Sequence, residues 1–285
     1  MTTYTDSDIL KKLAEQEKEG GELPPLFELY RKLLDIQSRA KKRIGISKPD
    51  LRSKDISELV EHGTPLLRFE DLSLDWSLLH EVFAEVIAAF ADYPELFGEL
   101  PEKLRKPEAN RLLTRKAVKA WYEETELPSP ILAGAARENL LRAIIHATLQ
   151  PFLSSHSKAL ISSVDQERWR RRYCPICGSQ PDFAFLDKER GSRWLLCSRC
   201  DTEWVFKRLE CPYCGTQDQK SLAYFTDDEG LYRLYVCEQC KRYLKTIDLS
   251  QAKSEVLLPL ERLYTLDLDS QAQLQGYHPC DRPAS

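Results

Sequence analysis

CPICGSQPDFAFLDKERGSRWLLCSRC, residues 174–200, and CPYCGTQDQKSLAYFTDDEGLYRLYVCEQC, residues 211–240, each open and close on a CxxC pair. A CxxC loop turns tightly enough to aim two thiolates at one tetrahedral ion, and a second pair about 15 to 20 residues later completes four sulfurs. Taken in order, Cys174, Cys177, Cys197 and Cys200 form one ligand set, and Cys211, Cys214, Cys237 and Cys240 form another. Both spacers read as hairpins. In the first, Phe183 to Leu186 and Arg193 to Leu196 flank a polar turn at Asp187 to Gly191; in the second, Leu222 to Phe225 and Leu231 to Val236 flank a turn at Asp227 to Gly230. CPICG at 174–178 returns as CPYCG at 211–215, which marks a tandem duplication of a rubredoxin-like or zinc-ribbon unit. Glycine after the second cysteine allows a left-handed turn that points backbone N–H groups at thiolate sulfur. Two tetrahedral tetrathiolate metal ions are therefore expected, iron or zinc, and spacing does not choose between them. A redox dithiol is the rival chemistry, but a lone CxxC after a strand would suit it better than four pairs in tandem.

All nine cysteines fall between Cys174 and Cys280, and the first 173 residues contain none. Cys280 follows Tyr277, His278 and Pro279 without a partner pair and is read as lying outside both ligand sets. The composition change sets a border near Asp165. Upstream, Pro25 opens a helical pattern running through Leu26, Leu29, Leu33 and Ile36 to a stop at Gly45. Asp75 caps a second helix that ends before Pro94, and Val118 and Trp121 mark a third. Ser129 and Pro130 begin a fourth through Leu140 and Ile145, which Pro151 is expected to break from a fifth, and Gly63 to Ser73 is expected to be a loop. The fold class is α+β: an all-α helical bundle over residues 1–165, rubredoxin-like metal modules over 166–208 and 209–248, and a C-terminal helix and tail over 249–285.

At 285 residues, 42% hydrophobic and 30% charged, the chain has the make-up of a soluble globular protein of about two domains, neither collagenous nor disordered. The formal charge of −4 advertises no polyanion partner. Residues 166–248 carry 15 Lys+Arg against 13 Asp+Glu, and two tetrathiolate sites of about −2 each turn that segment negative, a poor match to phosphate. Arg168 with Arg170, Arg171 and Arg172 is one basic run, placed to pair with acidic helix faces or a partner. No apolar run spans a bilayer, and the N-terminus MTTYTDSDILKKLAEQEKEGG is unlike a secretory signal, so the expected location is cytoplasmic. In that reducing compartment clustered cysteines bind metal rather than each other. No HExxH, GxSxG, GxGxxG or Walker loop occurs, and His80 and His146 read as helix-surface or satisfied core residues. No catalytic residue, small-molecule cofactor site or substrate is expected, and the chain is not read as an enzyme.

CPICGSQP at 174–181, RWLLCSRCDTEW at 193–204, KRLECPYCG at 207–215, CEQCKRYLK at 237–245 and a weaker tail at 260–277 resemble the formate dehydrogenase accessory protein FdhE family. Pro181, Arg193, Leu195, Glu203, Trp204, Tyr243, Leu244 and Lys245 fall at the family's offsets as well as the cysteines. The tail departs at Glu261 and Arg262, where the family usually has paired acidic residues. The resemblance implies a cytoplasmic, non-catalytic maturation factor that contacts the catalytic subunit of a respiratory formate dehydrogenase, with the eight paired cysteines as ligands, commonly to iron. Trp169, Tyr173, Trp194 and Tyr243 are candidate contact aromatics; the competing expectation is that Trp194 and Trp204 pack beneath the knuckles as module cores. The other functional classes consistent with the sequence are a rubredoxin-like electron carrier or redox sensor and, less well matched, a zinc-ribbon nucleic-acid regulator.

Overall fold

The structure, a computed structural model, describes residues 4–46, 53–128 and 135–280. In chain order its helices are α1 (Asp6–Gly20), α2 (Pro25–Lys41), α3 (Ser53–His62), α4 (Trp76–Ala91), α5 (Pro94–Phe97), α6 (Glu102–Arg105), α7 (Arg115–Tyr122), α8 (Ala135–Leu160) and α9 (Gln166–Trp169). Six strands follow: β1 (Pro181–Leu186), β2 (Arg193–Cys197), β3 (Glu203–Phe206), β4 (Leu222–Thr226), β5 (Tyr232–Cys237) and β6 (Arg242–Asp248). Helices α10 (Leu258–Tyr264) and α11 (Leu266–Leu274) close the chain. Two compact units divide the described residues: 4–46 with 68–128 and 135–156, and 53–67 with 157–280.

The first unit is helical, as expected. Thr5 begins α1 with a capping box in which its hydroxyl and the Asp8 carboxylate each satisfy the other residue's backbone N–H. Pro25 occupies the first turn of α2, and Asp75 accepts from the Ser77 and Leu78 N–H groups at the start of α4. Leu79, Phe83, Val86 and Phe90 of α4 are buried, as are Leu29, Leu34 and Ile36 of α2. The expected break at Pro151 does not occur, because α8 runs through it. Pro151 has no N–H for the Ala147 carbonyl one turn back, and the Gln37 side-chain amide of α2 donates to that oxygen at 2.9 Å instead. The expected Ser129–Pro130 start of this helix lies outside the described residues. His80 Nε2 sits 3.2 Å from the Leu113 carbonyl oxygen, which agrees with a satisfied packing role.

The second unit is built on one six-stranded sheet ordered β3-β2-β1-β6-β5-β4. The two expected hairpins are present: β1 pairs antiparallel with β2, and β4 with β5. Each gains a third antiparallel strand, β3 and β6, running out of the second cysteine knuckle of its module. The modules then fuse where β1 lies parallel to β6, with Phe183 opposite Lys245 and Leu186 opposite Asp248. Residues 63–67 join this unit. The Leu66 and Leu67 N–H groups donate to the Pro175 and Ile176 carbonyls at 2.9 Å, so part of the expected loop is an arm along the first knuckle.

Helices α10 and α11 pack against the second module. Leu234, Val236 and Tyr243 of the sheet are buried with Ala272 and Tyr277. Lys245 is 5% exposed, and its ammonium donates to the Arg262 and Thr265 carbonyls and to the Asp269 carboxylate at 2.5 Å, which offsets the cost of burying a charge. Arg262 reaches the first module, donating to Asp182 at 2.7 Å, Asp201 at 2.6 Å and the Cys197 carbonyl at 2.8 Å. The C-terminal helices thus fasten both modules, and basic Arg262 fits because two carboxylates face it.

Candidate metal centres

Each knuckle is a tight backbone turn. Gly178 and Gly215 donate to the Cys174 and Cys211 carbonyls at 3.0 Å, both with φ in the left-handed range, +75° and +79°. Within these turns the Ile176, Arg199 and Tyr213 N–H groups donate to the sulfurs of Cys174, Cys197 and Cys211, each at 3.4 Å. Such bonds favour thiolate over thiol and orient the sulfur.

The eight sulfurs gather into the two groups the spacing predicts: Cys174, Cys177, Cys197 and Cys200, and Cys211, Cys214, Cys237 and Cys240, with the Sγ atoms of each group within 4.8 Å of one another. In the first group the closest pairs are 3.4 to 3.6 Å apart, and in the second 3.7 Å. A disulfide needs about 2.05 Å. Four sulfurs at about 2.3 Å from a tetrahedral ion have edges of about 3.8 Å, so both groups have the size of a tetrathiolate site and could hold a metal ion. Cys280 belongs to neither group.

The two centres differ in environment. All four cysteines of the first are buried, whereas Cys214 and Cys240 of the second are half-exposed. Burial pushes the Cys174 and Cys200 thiols up; at Cys197 burial acts the same way but is outweighed by hydrogen bonds from the other three cysteines, which hold it down as thiolate. In the second centre the Cys240 hydrogen bond brings Cys211 down to about 5, while burial pushes Cys237 up to about 11. Burial and sulfur–sulfur hydrogen bonds thus pull the thiols of the first centre in opposite directions, and a divalent cation relieves that conflict by replacing protons.

Supporting groups missed at the level of sequence include Thr202, whose hydroxyl lies 2.9 Å from Cys200 Sγ and 2.6 Å from the Ser157 hydroxyl of α8. Its only signal was a position two residues past a knuckle. Trp204 is fully buried and donates to the Arg171 carbonyl at 2.8 Å, the core role expected of it, while half-buried Trp194 stacks on Phe185. Trp169 and Tyr243, offered above as candidate contact aromatics, are buried: Trp169 donates to the Tyr173 carbonyl and Tyr243 to Asp269. Their aromatic surface fills the interior, and only their polar atoms are occupied at its edge.

A sheet of two fused CxxC hairpin modules, each closing on four cysteines, defines a protein with two tetra-cysteine ribbons. Residues 173–208 match the family model described as the FdhE central domain. An FdhE homolog of Aquifex aeolicus is 36% identical over 165 residues, 56% of this chain and 57% of that protein. One from Shewanella oneidensis is 32% identical over 137 residues, 47% and 45% of the two chains. The chain thus spans about half the length of the curated relatives it matches. The crystal structure of the FdhE protein from Pseudomonas aeruginosa superposes with a TM-score of 0.61 over 98% of this chain and 93% of that one, at 24% identity, and so shares its fold. The resemblance to the FdhE family drawn from the cysteine motifs is borne out by these matches. Among the described residues, no helix is long and apolar enough to cross a membrane.

Proposed function

We propose that this protein is a non-catalytic accessory factor for a formate dehydrogenase, which it engages through the enzyme's catalytic subunit in the cytoplasm before that enzyme becomes active. In this reading Cys174, Cys177, Cys197 and Cys200 ligate one metal ion and Cys211, Cys214, Cys237 and Cys240 a second, iron or zinc. The observation that carries it is the pair of sulfur groups at tetrathiolate spacing, the first of them within residues 173–208, which match the FdhE central domain. The ions hold two small modules whose cores are too thin to fold alone, giving a stiff surface that meets a client at low ordering cost. The half-exposed second centre keeps a redox role open within the same reading, since electron exchange needs an approachable ion.

Metal analysis of protein purified without oxygen should give about two ions per chain. A reddish, reversibly bleached charge-transfer band would assign iron, and a colourless spectrum zinc. The tagged protein should capture the formate dehydrogenase catalytic subunit, and cells lacking it should lose formate dehydrogenase activity without losing the subunit. Full activity in those cells would refute the accessory role.

A further inference from the structure

The basic run before the first knuckle and a buried arginine of β2 converge on the second metal centre. Arg172 donates from Nη1 to the Tyr213 carbonyl at 2.6 Å, inside the Cys211–Cys214 knuckle. Arg193 donates from Nη2 to the Glu210 carbonyl at 2.5 Å, one residue before Cys211, and also to the Lys207 carbonyl. Both side chains come from sequence belonging to the first module, and they grip the second module's first knuckle at its entry and within its turn. Gly215 is part of this fit, since a Cβ there would lie 3.4 Å from the Arg172 guanidinium.

Neither arginine has a carboxylate partner among the described residues. Arg193 is 2% exposed, rests against the Phe206 and Tyr235 rings, and keeps its Nε buried without a hydrogen bond. The nearby Glu210 carboxylate is turned away to Lys207 and Gln217. A buried guanidinium without an anion is costly. By contrast, Arg170 pairs with Glu167, and Arg262, beside the first centre, with Asp182 and Asp201. Four thiolates around a divalent ion carry −2, equal and opposite to two guanidinium groups.

We propose that Arg172 and Arg193 are the counter-charges of the second tetrathiolate, so that this centre takes its ligands from the second module and its electrostatic complement from the first. They are positioning residues: they touch the knuckle's carbonyls, not the ion. Because Arg172 stands two residues before Cys174, closing the first centre also sets Arg172 on the second. Retention of the second ion therefore depends on the first module.

The inference rests on the metal-ligand reading above, and one experiment separates the two. The full chain is loaded with cadmium-113, whose NMR spectrum gives one tetrathiolate resonance per centre, and release of each ion to a chelator is followed. Arg172→Gln removes the charge and keeps a shorter polar side chain; it should shift one resonance and speed loss of that ion about tenfold. Arg172→Lys should restore most of the retention, and 0.5 M salt should narrow the difference. Arg193→Lys and Arg193→Gln repeat the comparison from the buried side, and the Arg172 variants keep the test open if Arg193→Gln fails to fold. Unchanged release from both centres, or equal acceleration at both, overturns the proposal. Absence of two tetrathiolate resonances from the unaltered protein instead overturns the metal reading itself.

Discussion

Gly178, Asp201, Gly215 and Lys241 each follow the second cysteine of a pair, and all four have left-handed backbone, with φ from +54° to +79°. The two glycines were legible in the sequence as turn formers; the other two were not, because the same turn is made there against a side chain's preference. Asp201 is compensated by Arg262, whereas Lys241 has an exposed ion pair with Glu238 and a position over the Tyr277 ring. Exposed pairs contribute little, so Lys241→Gly should stabilise the metal-loaded protein by about 0.5 to 1 kcal/mol, read as a higher thermal midpoint. Glu261 offers a second single-residue test. It is 7% exposed, burial raises its pKa, and the Tyr232 hydroxyl donates to it at 2.6 Å. A carboxyl that holds its proton more tightly when folded favours folding at low pH, and that contribution is lost as pH rises from the ordinary carboxylate value through the raised one. Glu261→Gln keeps an acceptor for Tyr232 and has no charge to bury. It should be more stable than the unaltered protein at pH 7, within about 1 kcal/mol, with the gap closing below pH 4 in parallel melts.

At the scale of elements, local signals served where local physics decides. The caps at Thr5 and Asp75 and the hairpins between knuckles follow from neighbouring residues, although α1 escaped notice because its polar sequence buries only Ile9 and Leu13. Pro151 was misjudged for a tertiary reason, the donor arriving from Gln37, 114 positions earlier. Gln37→Leu should leave the Ala147 carbonyl unpaired beside the proline and cost about 1 to 3 kcal/mol; a chemical denaturation series compares it with Gln37→Glu, which keeps the shape and loses the donor. Both variants should unfold at lower denaturant than the parent. The eight ligand candidates were legible because spacing along the chain sets the bite of each pair. Arg193 and Lys245 stood out as charges in apolar strands, and their partners, the Lys207 and Glu210 carbonyls and the Asp269 carboxylate, lie elsewhere in the sequence.

For the molecule as a whole, the contrast between the two centres is the main consequence. The first is sealed by burial and by the 63–67 arm; in the second, Cys214 and Cys240 are only half-buried. With zinc bound at both, a chelator should remove one equivalent in a fast phase and the other only at the rate of unfolding, with Cys240→Ser abolishing the fast phase. Two equal phases would deny the asymmetry. The parallel pairing of β1 with β6 was not legible either, since two tandem ribbons could equally have stayed separate; only the three-dimensional register joins them.

That pairing also sets a clock. Phe183 lies opposite Lys245, so during synthesis at about 5 to 20 residues per second the middle of the sheet waits on the order of 3 to 12 s for its second half to leave the ribosome. Cys200 follows Phe183 by about 1 to 3 s, and for the rest of that interval Cys174 to Cys200 have all emerged while the strand that completes their sheet has not. The nascent chain is then a thiol-rich hairpin with an open edge, and whichever metal the cell offers in those seconds has first claim on the four sulfurs that later become inaccessible.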